Sequence, residues 1–293
     1  MTGAIYQSPE EAAEQILSRL GKRVTLGLPL GIGKANHIAN ALYARAEADP
    51  SIALTIFSAV SLGVPELVAG SDLKARFIGP LIARINAGHE PLLYAKAQAA
   101  SALPRNISVH EFFLPAGSHL GNPDVQQAYL SANYTHVVSV LLDAGVNVLA
   151  PLVAPSGDVG QSATYSLSSN TDLVLDFLSR LDERTGGGPF FLAGQANRQL
   201  PYMRGPGELD AARFDGMLDT PQTQFDLFSV PRQPVTLTDY ATALHCAAMI
   251  PDGGTLQIGI GSFSDALTQA LLLRHDTSDA FDELSGLSPV TTS

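Results

Sequence analysis

The sequence has 293 residues, of which 45% are hydrophobic and 15% charged, a balance that suits a packed globular core and not a disordered chain. Its net charge of −11 argues against a nucleic-acid binder, which needs a basic face to neutralise phosphates, and no stretch has the long uncharged apolar run of a membrane helix. A single cysteine, Cys246, excludes an internal disulfide framework, and residues 1–14 lack a basic-then-apolar leader, so a cytoplasmic location is expected and the glycosylation patterns at Asn106 and Asn133 carry no meaning.

The opening helix has an explicit start signal. Ser8 caps it, Pro9 suits the first helical position, Glu11 completes a capping box and Gly21 ends it. Residues 23–28 read as a strand, 29–34 as a turn containing Gly31-Ile-Gly33, and 35–48 as a helix with Ile38, Ala41, Leu42 and Ala46 at helical spacing. A second strand over 52–59 precedes helical segments over 64–73 and 78–87 and a strand over 107–114. Residues 131–143 read as a helix ended by Gly145, and 146–153 as one buried strand. A helix capped by Asn170 or Thr171 runs to about Asp182, then 184–189 form a flexible connector, and 190–193 and 225–229 are short strands. Thr236 or Thr238 opens a helix ending near Ile250. After a turn at 251–254, a strand over 255–258 runs into Gly259-Ile-Gly261 and a helix through Leu267, Ala270 and Leu271.

Strands alternating with helices on this scale predict an α/β fold, an open parallel-rich sheet covered by helices. The two strand, Gly-Ile-Gly and helix segments resemble each other. That spacing predicts an N-terminal α/β domain over 1–230 and, over 231–293, the incomplete start of a second similar domain.

Glycines between a strand and a helix let a ligand approach the unpaired N–H groups of the helix start, although a bare Gly-x-Gly more often serves as a tight turn. Two nucleotide-binding fingerprints fail. A P-loop would need glycine at Leu28 and a hydroxyl at Ala35, and the dinucleotide motif would need a small residue where Asn36 and Ser264 stand. Ser118-His119 and Ser162 lack a nucleophile elbow, and the seven histidines show no metal-ligand spacing. His245 and Cys246 read as packing residues of an apolar helix, and Asp172 and Asp176 as a solvated helix face. Glu283 is the one carboxylate near the second glycine turn that could be argued for catalysis, and its polar helical context favours a surface position.

The block Ile250-Pro-Asp-Gly-Gly-Thr-Leu-Gln-Ile-Gly-Ile-Gly261, with Ala266-Leu267 after it, resembles the acetyl-CoA hydrolase/transferase family, which includes succinyl-CoA:acetate and 4-hydroxybutyrate CoA-transferases. Asn133-Tyr-Thr-His-Val137, Gly194-Gln-Ala-Asn197 with Leu200-Pro201, and Phe225-Asp-Leu-Phe support the resemblance. It implies two similar α/β domains with an active site between them. There a glutamate of the second domain attacks the acyl-CoA thioester, giving an acyl-glutamyl anhydride and free CoA thiolate. In transferases CoA returns to form a glutamyl-CoA thioester, and in hydrolases water finishes the reaction. Carried over by position, Gly259, Ile260, Gly261, Ser262 and Phe263 match the loop that contacts CoA, and Asn197 matches an active-site asparagine. Coenzyme A enters as substrate, no separate cofactor or metal is expected, the partners are a small acyl-CoA and a carboxylate, and a homodimer is possible.

The sequence departs from that family in one respect. No Ser-Glu or Thr-Glu segment follows Gly261, so the chain is expected to be a fragment without the nucleophilic glutamate. A non-catalytic CoA-binding or regulatory module is the alternative reading, and a nucleotide-dependent oxidoreductase is a more distant one.

Overall fold

The Ser8 hydroxyl accepts the Glu11 backbone N–H, Pro9 fills the first turn and Gly21, at φ +76°, ends helix α1 (Pro9–Leu20). Glu11 departs from the expected box by reaching one residue further back, where its carboxylate accepts the Gln7 N–H. The structure is a computed structural model that describes residues 4–61, 72–183, 188–227 and 233–286. The chain forms two compact units, Met1–Phe228 and Ser229–Ser293.

The first unit holds strands β1 (Ala4–Tyr6), β2 (Arg23–Leu30), β3 (Ala53–Ala59), β4 (Ile107–Glu111), β5 (Val148–Leu149), β6 (Leu152–Pro155), β7 (Thr164–Ser166), β8 (Phe191–Ala196), β9 (Glu208–Asp210) and β10 (Gly216–Leu218). Its remaining helices are α2 (Asn36–Ala48), α3 (Asp72–Ile85), α4 (Leu93–Ala99), α5 (Pro123–Ala128), α6 (Val137–Asp143) and α7 (Thr171–Glu183). The main sheet runs β4-β3-β2-β5-β8-β10-β1, every pair parallel. β6 lies parallel to the end of β8, with Leu152 opposite Gln195, and carries β7 and β9 as an antiparallel extension. This is the expected α/β fold, a mostly parallel sheet between helices.

Period-two alternation explains why both faces are covered. Leu54 and Ile56 of β3, with Phe191 and Ala193 of β8, join Ile16 of α1, Ile38 and Leu42 of α2 and Tyr94 of α4 in one core. Phe57 and Ala59, with Leu192 and Ala196, join Leu141 of α6 and Val174 and Phe177 of α7 in the other. A strand buried on both faces must read as a near-continuous apolar run, as β3 and β8 do.

Several expectations shift in detail. The single strand over 146–153 is two, because Pro151 has no N–H to continue a ladder; its partner there is an isolated bridge to Lys34. The helix over 131–143 begins as a 3-10 turn at Tyr134–His136 before α6. Asn170 does not cap α7 but points inward, where its amide holds two backbone carbonyls. The 225–229 strand does not form: Phe225 to Leu227 lie in a loop, and the rest falls outside the described residues. The 64–73 helix and the 184–189 connector likewise lie mostly outside them. The short strands β1, β7, β9 and β10 and the helices α4 and α5 were too brief to show a period.

The second unit contains α8 (Leu237–Met249), α9 (Ser262–Asp276) and α10 (Ser278–Gly286). Thr236 and Asp239 form a full capping box at the start of α8. Ala243 and Ala247 pack against Ala266, Leu267, Ala270 and Phe281, the small residues allowing the helices to approach closely, with Cys246 partly buried beside them. Arg274 closes the far end of α8, donating to the carbonyls of Ala247 and Ile250 and to the Asp252 carboxylate. The strand expected over 255–258 does not form. Among the described residues this unit has only helices, and a strand needs a neighbour to take its backbone groups.

Candidate functional site

In an open α/β sheet, ligands favour the crevice at the carboxyl ends of the strands where the connection order reverses. Here β2 leads to β3 on one side, and the chain returns on the other side at β5. The loop at 31–35 occupies that crevice, and both of its glycine N–H groups are claimed. The N–H groups of Gly31, Gly33 and Ala35 donate to the carbonyls of Ala59 (3.2 Å), Leu30 (3.4 Å) and Ala150 (3.2 Å). Those of Asn36 and His37 go to Lys34 O (2.9 Å) and Gln195 Oε1 (3.1 Å). The Asn170 amide donates to Gly33 O (3.0 Å) and Leu152 O (2.9 Å) and lies so close that a Cβ on Gly33 would sit 1.9 Å from its oxygen. The first Gly-Ile-Gly turn is therefore a structural plug whose glycine N–H groups are spent on the sheet.

Lys34, in the failed P-loop position, is wholly buried. Its Nζ donates to the carbonyls of Gly31 (2.8 Å), Ala59 (2.7 Å) and Val60 (3.1 Å), so one ammonium ties together the chain ends of β2 and β3. Burial pushes its pKa down to about 7, with Glu111 pulling the other way. Val60, a β-branched residue, is held at φ +50°, a conformation that costs about 1–3 kcal/mol. Lys34 grips its carbonyl, and the buried Glu111 carboxylate accepts the next N–H, that of Ser61 (3.1 Å). The Ser61 hydroxyl in turn bonds the buried Tyr94 hydroxyl (2.8 Å).

Gln195, fully buried at the end of β8, caps α2. Its oxygen takes the His37 N–H, which leaves its amide to donate to His37 Nδ1 (2.9 Å) and Thr223 O (3.3 Å). That arrangement makes His37 Nδ1 an acceptor and puts the ring proton on Nε2, 3.8 Å from Glu90 Oε2. Burial lowers the His37 pKa, opposed by Glu90 and Glu10. Asn40 donates to Glu90 Oε1 (3.0 Å), and Phe225 packs against the His37 ring, with His89 edge-on to it. A neutral imidazole aimed at a carboxylate can present a hydrogen bond or pass a proton between the two.

Asn197 follows directly on this sheet edge and is fully buried. Its Nδ2 donates to Phe225 O (2.9 Å) and its Oδ1 accepts the Gln199 N–H (2.9 Å), so it sets the loop that carries Phe225. In the second unit, Gly259, Ile260, Gly261, Ser262 and Phe263 lie at the head of α9. Ile260 is fully exposed, Gly261 caps the helix at φ +144° without a side-chain bond, and a Cβ there would meet nothing within 4 Å. Residues 255–260 make no hydrogen bond among the described residues. Glu283 is exposed on α10.

Lys34, Glu111, His37, Glu90 and Gln195 were not read from the sequence as a site. One signal was available. Gln195 and Glu111 are buried polar residues at the carboxyl ends of parallel strands, the side of an open sheet that ligands favour. Elsewhere in the first unit an open groove of about 550 Å³ is lined by Ser168, Asp172, Asp176, Met203 and Arg204, among others. Among the described residues no group of three His, Cys, Asp or Glu could hold a metal, and no helix is long and apolar enough to cross a membrane.

No family model matches the sequence, and no curated protein matches it. Solved structures do. RipA from Yersinia pestis is 19% identical, superposes with a TM-score of 0.59, and is matched over 90% of this chain and 52% of that one. A RipA variant gives 18% and 0.56 over the same shares. A 4-hydroxybutyrate CoA-transferase from Porphyromonas gingivalis is 15% identical, with a TM-score of 0.47, over 90% of this chain and 50% of that one. The chain spans about half the length of these solved structures. The molecule is thus an α/β protein with a mostly parallel sheet, and it shares its fold with RipA.

Proposed function

We propose that this chain serves an acyl-CoA transferase or acyl-CoA hydrolase reaction, with Gly259, Ile260, Gly261, Ser262 and Phe263 as its contact to coenzyme A. The observation that carries this reading is the state of the second glycine turn. It is uncharged and exposed, and it stands at the head of a 15-residue helix. Its preceding backbone groups are unclaimed among the described residues. Such a helix start favours an anion, and glycine lets phosphate or a developing thioester oxyanion approach the backbone. The family resemblance of residues 250–261 supplies the substrate class. In this reading the chemistry runs through a glutamyl anhydride.

Glu283 is not the nucleophile of this reading, because its side chain is exposed on a polar helix. The reading is tested first by binding. Titration calorimetry with coenzyme A should show saturable binding that Gly261→Val weakens by about tenfold, or roughly 1.4 kcal/mol. A flat titration, or equal binding by the variant, would exclude the glycine loop as the CoA contact. Release of CoA thiol from acetyl-CoA or succinyl-CoA by the purified chain would show that it carries its own nucleophile.

A further inference from the structure

The last stretch of the first unit, residues 223–227, is held by hydrogen bonds from several sides. Gln195 Nε2 donates to Thr223 O (3.3 Å), Asn197 Nδ2 to Phe225 O (2.9 Å), and the Leu227 N–H to Gln199 Oε1 (2.8 Å). The Asp226 N–H donates to Gly88 O (2.9 Å), and His89 Nδ1 lies 3.2 Å from Asp226 O. Phe225 is buried, its ring 5.7 Å from that of His37 and 5.5 Å from that of His89. One of these contacts depends on a proton. The Gln195 oxygen is committed to the His37 backbone N–H, a group that only donates, so the amide nitrogen must face the ring. Its two hydrogens go to His37 Nδ1 and Thr223 O, which requires Nδ1 to carry no proton.

We infer that His37 is a proton-operated latch: neutral, it holds residues 223–227 through Gln195, and protonated, it releases them. A proton on Nδ1 turns the 2.9 Å contact into donor against donor. Rotating the Gln195 amide does not cure this, because the amide hydrogens then meet the His37 N–H and leave Thr223 O unpaired. Gln195 is fully buried, so bulk water does not replace the lost bond. The ring faces Glu90, 3.8 Å from Nε2, Glu10 of α1, Gln195 of β8 and Phe225, with His89 on the far side of Phe225. Glu90 and Glu10 favour the charged ring, burial opposes it, and burial prevails. His89 is indifferent: a carbonyl only accepts, so its Nδ1 carries a proton whether the ring is neutral or charged. Asp226, the segment's own carboxylate, accepts from Gln199 Nε2. The folded His37 ring takes its proton below its ordinary 6.5, so the latch is fully closed above about pH 6.5 and opens as the pH falls below it. Leu227 adjoins the unit boundary at Phe228, so acid frees the end of the first unit. The inference does not rest on the acyl-CoA reading.

Hydrogen exchange of the intact chain, read by mass spectrometry and corrected for the intrinsic rate, tests it. Residues 223–227 should exchange about tenfold faster at about pH 5.5 than at about pH 7.5, while β4 keeps its protection. His37→Phe keeps an aromatic ring against Phe225 but has no Nδ1, so the pH response should vanish. Gln195→Glu offers the charged ring an acceptor, and exchange should no longer rise in acid. Imidazole NMR should give His37 the same midpoint as the opening. Exchange that ignores pH, a rise that survives in either variant, or a midpoint that the His37 resonance does not share would each overturn the proposal.

Discussion

Gly-Ile-Gly occurs twice in this chain, each time ahead of a helix, and the two copies are in opposite physical states. At 31–33 the turn is locked between strands: its two glycine N–H groups end on carbonyls of the sheet, Asn170 fills the space a side chain would need, and Lys34 ties the loop to Ala59 and Val60. At 259–261 the same peptide is exposed, with the backbone before it unpaired among the described residues. The glycines are equal in the two places. What differs is the neighbours, and it is the neighbours that decide whether a helix start is available to a ligand or consumed by the fold.

Substitution should separate the two turns most sharply. Gly33→Ala drives a methyl into the Asn170 amide and breaks its two buried hydrogen bonds, costing about 3 kcal/mol or more by urea denaturation. The matching Gly259→Ala meets only Ser264, at 3.9 Å, and should change stability by less than about 0.5 kcal/mol. Equal effects at the two sites would erase the distinction.

The plug should also give stability a pH signature. Lys34 titrates near 7 in the folded chain against an ordinary 10.5. Below about 7 both folded and unfolded states hold the proton, and the cost of the buried charge is fully present. Above it the folded state releases the proton while the unfolded state keeps it, so stability rises with pH, by roughly 2–3 kcal/mol between about pH 7 and pH 9. Thermal melts over that window should show the rise, and Lys34→Met should flatten it. A wild-type profile that falls there would remove the buried, depressed lysine.

Gln195→Leu removes the α2 cap and the group that fixes the His37 tautomer. A loss of about 1–2 kcal/mol is expected. Gln195→Glu instead offers a carboxylate to Nδ1 and should raise the His37 pKa, read by imidazole NMR titration. A modest effect belongs to the second unit. Thr236→Ala breaks the α8 capping box and should cost about 1 kcal/mol, confined to amide exchange of the second unit.

Local signals were legible wherever the physics was local. Ser8, Pro9 and Gly21 bounded α1, Thr236 was one of two residues read as opening α8, and the apolar runs of β3 and β8 announced strands. The 255–258 strand had the same composition as these but no partner among the described residues, and its composition alone could not supply one. Asn197 was legible as a position, through its resemblance to a family segment, but its bonds to Phe225 and Gln199 were not. Lys34 and Gln195 escaped because their meaning lies in contacts with residues 25 and 158 positions away.

By itself, then, the sequence determined the α/β alternation, the helix caps and the existence of two glycine turns, because propensity, capping and periodicity act within a few residues. The tertiary structure decided what each turn is for. Hydrogen-bond satisfaction is settled by distant strands and buried side chains, and those closed the turn at 31–33 and left the one at 259–261 open.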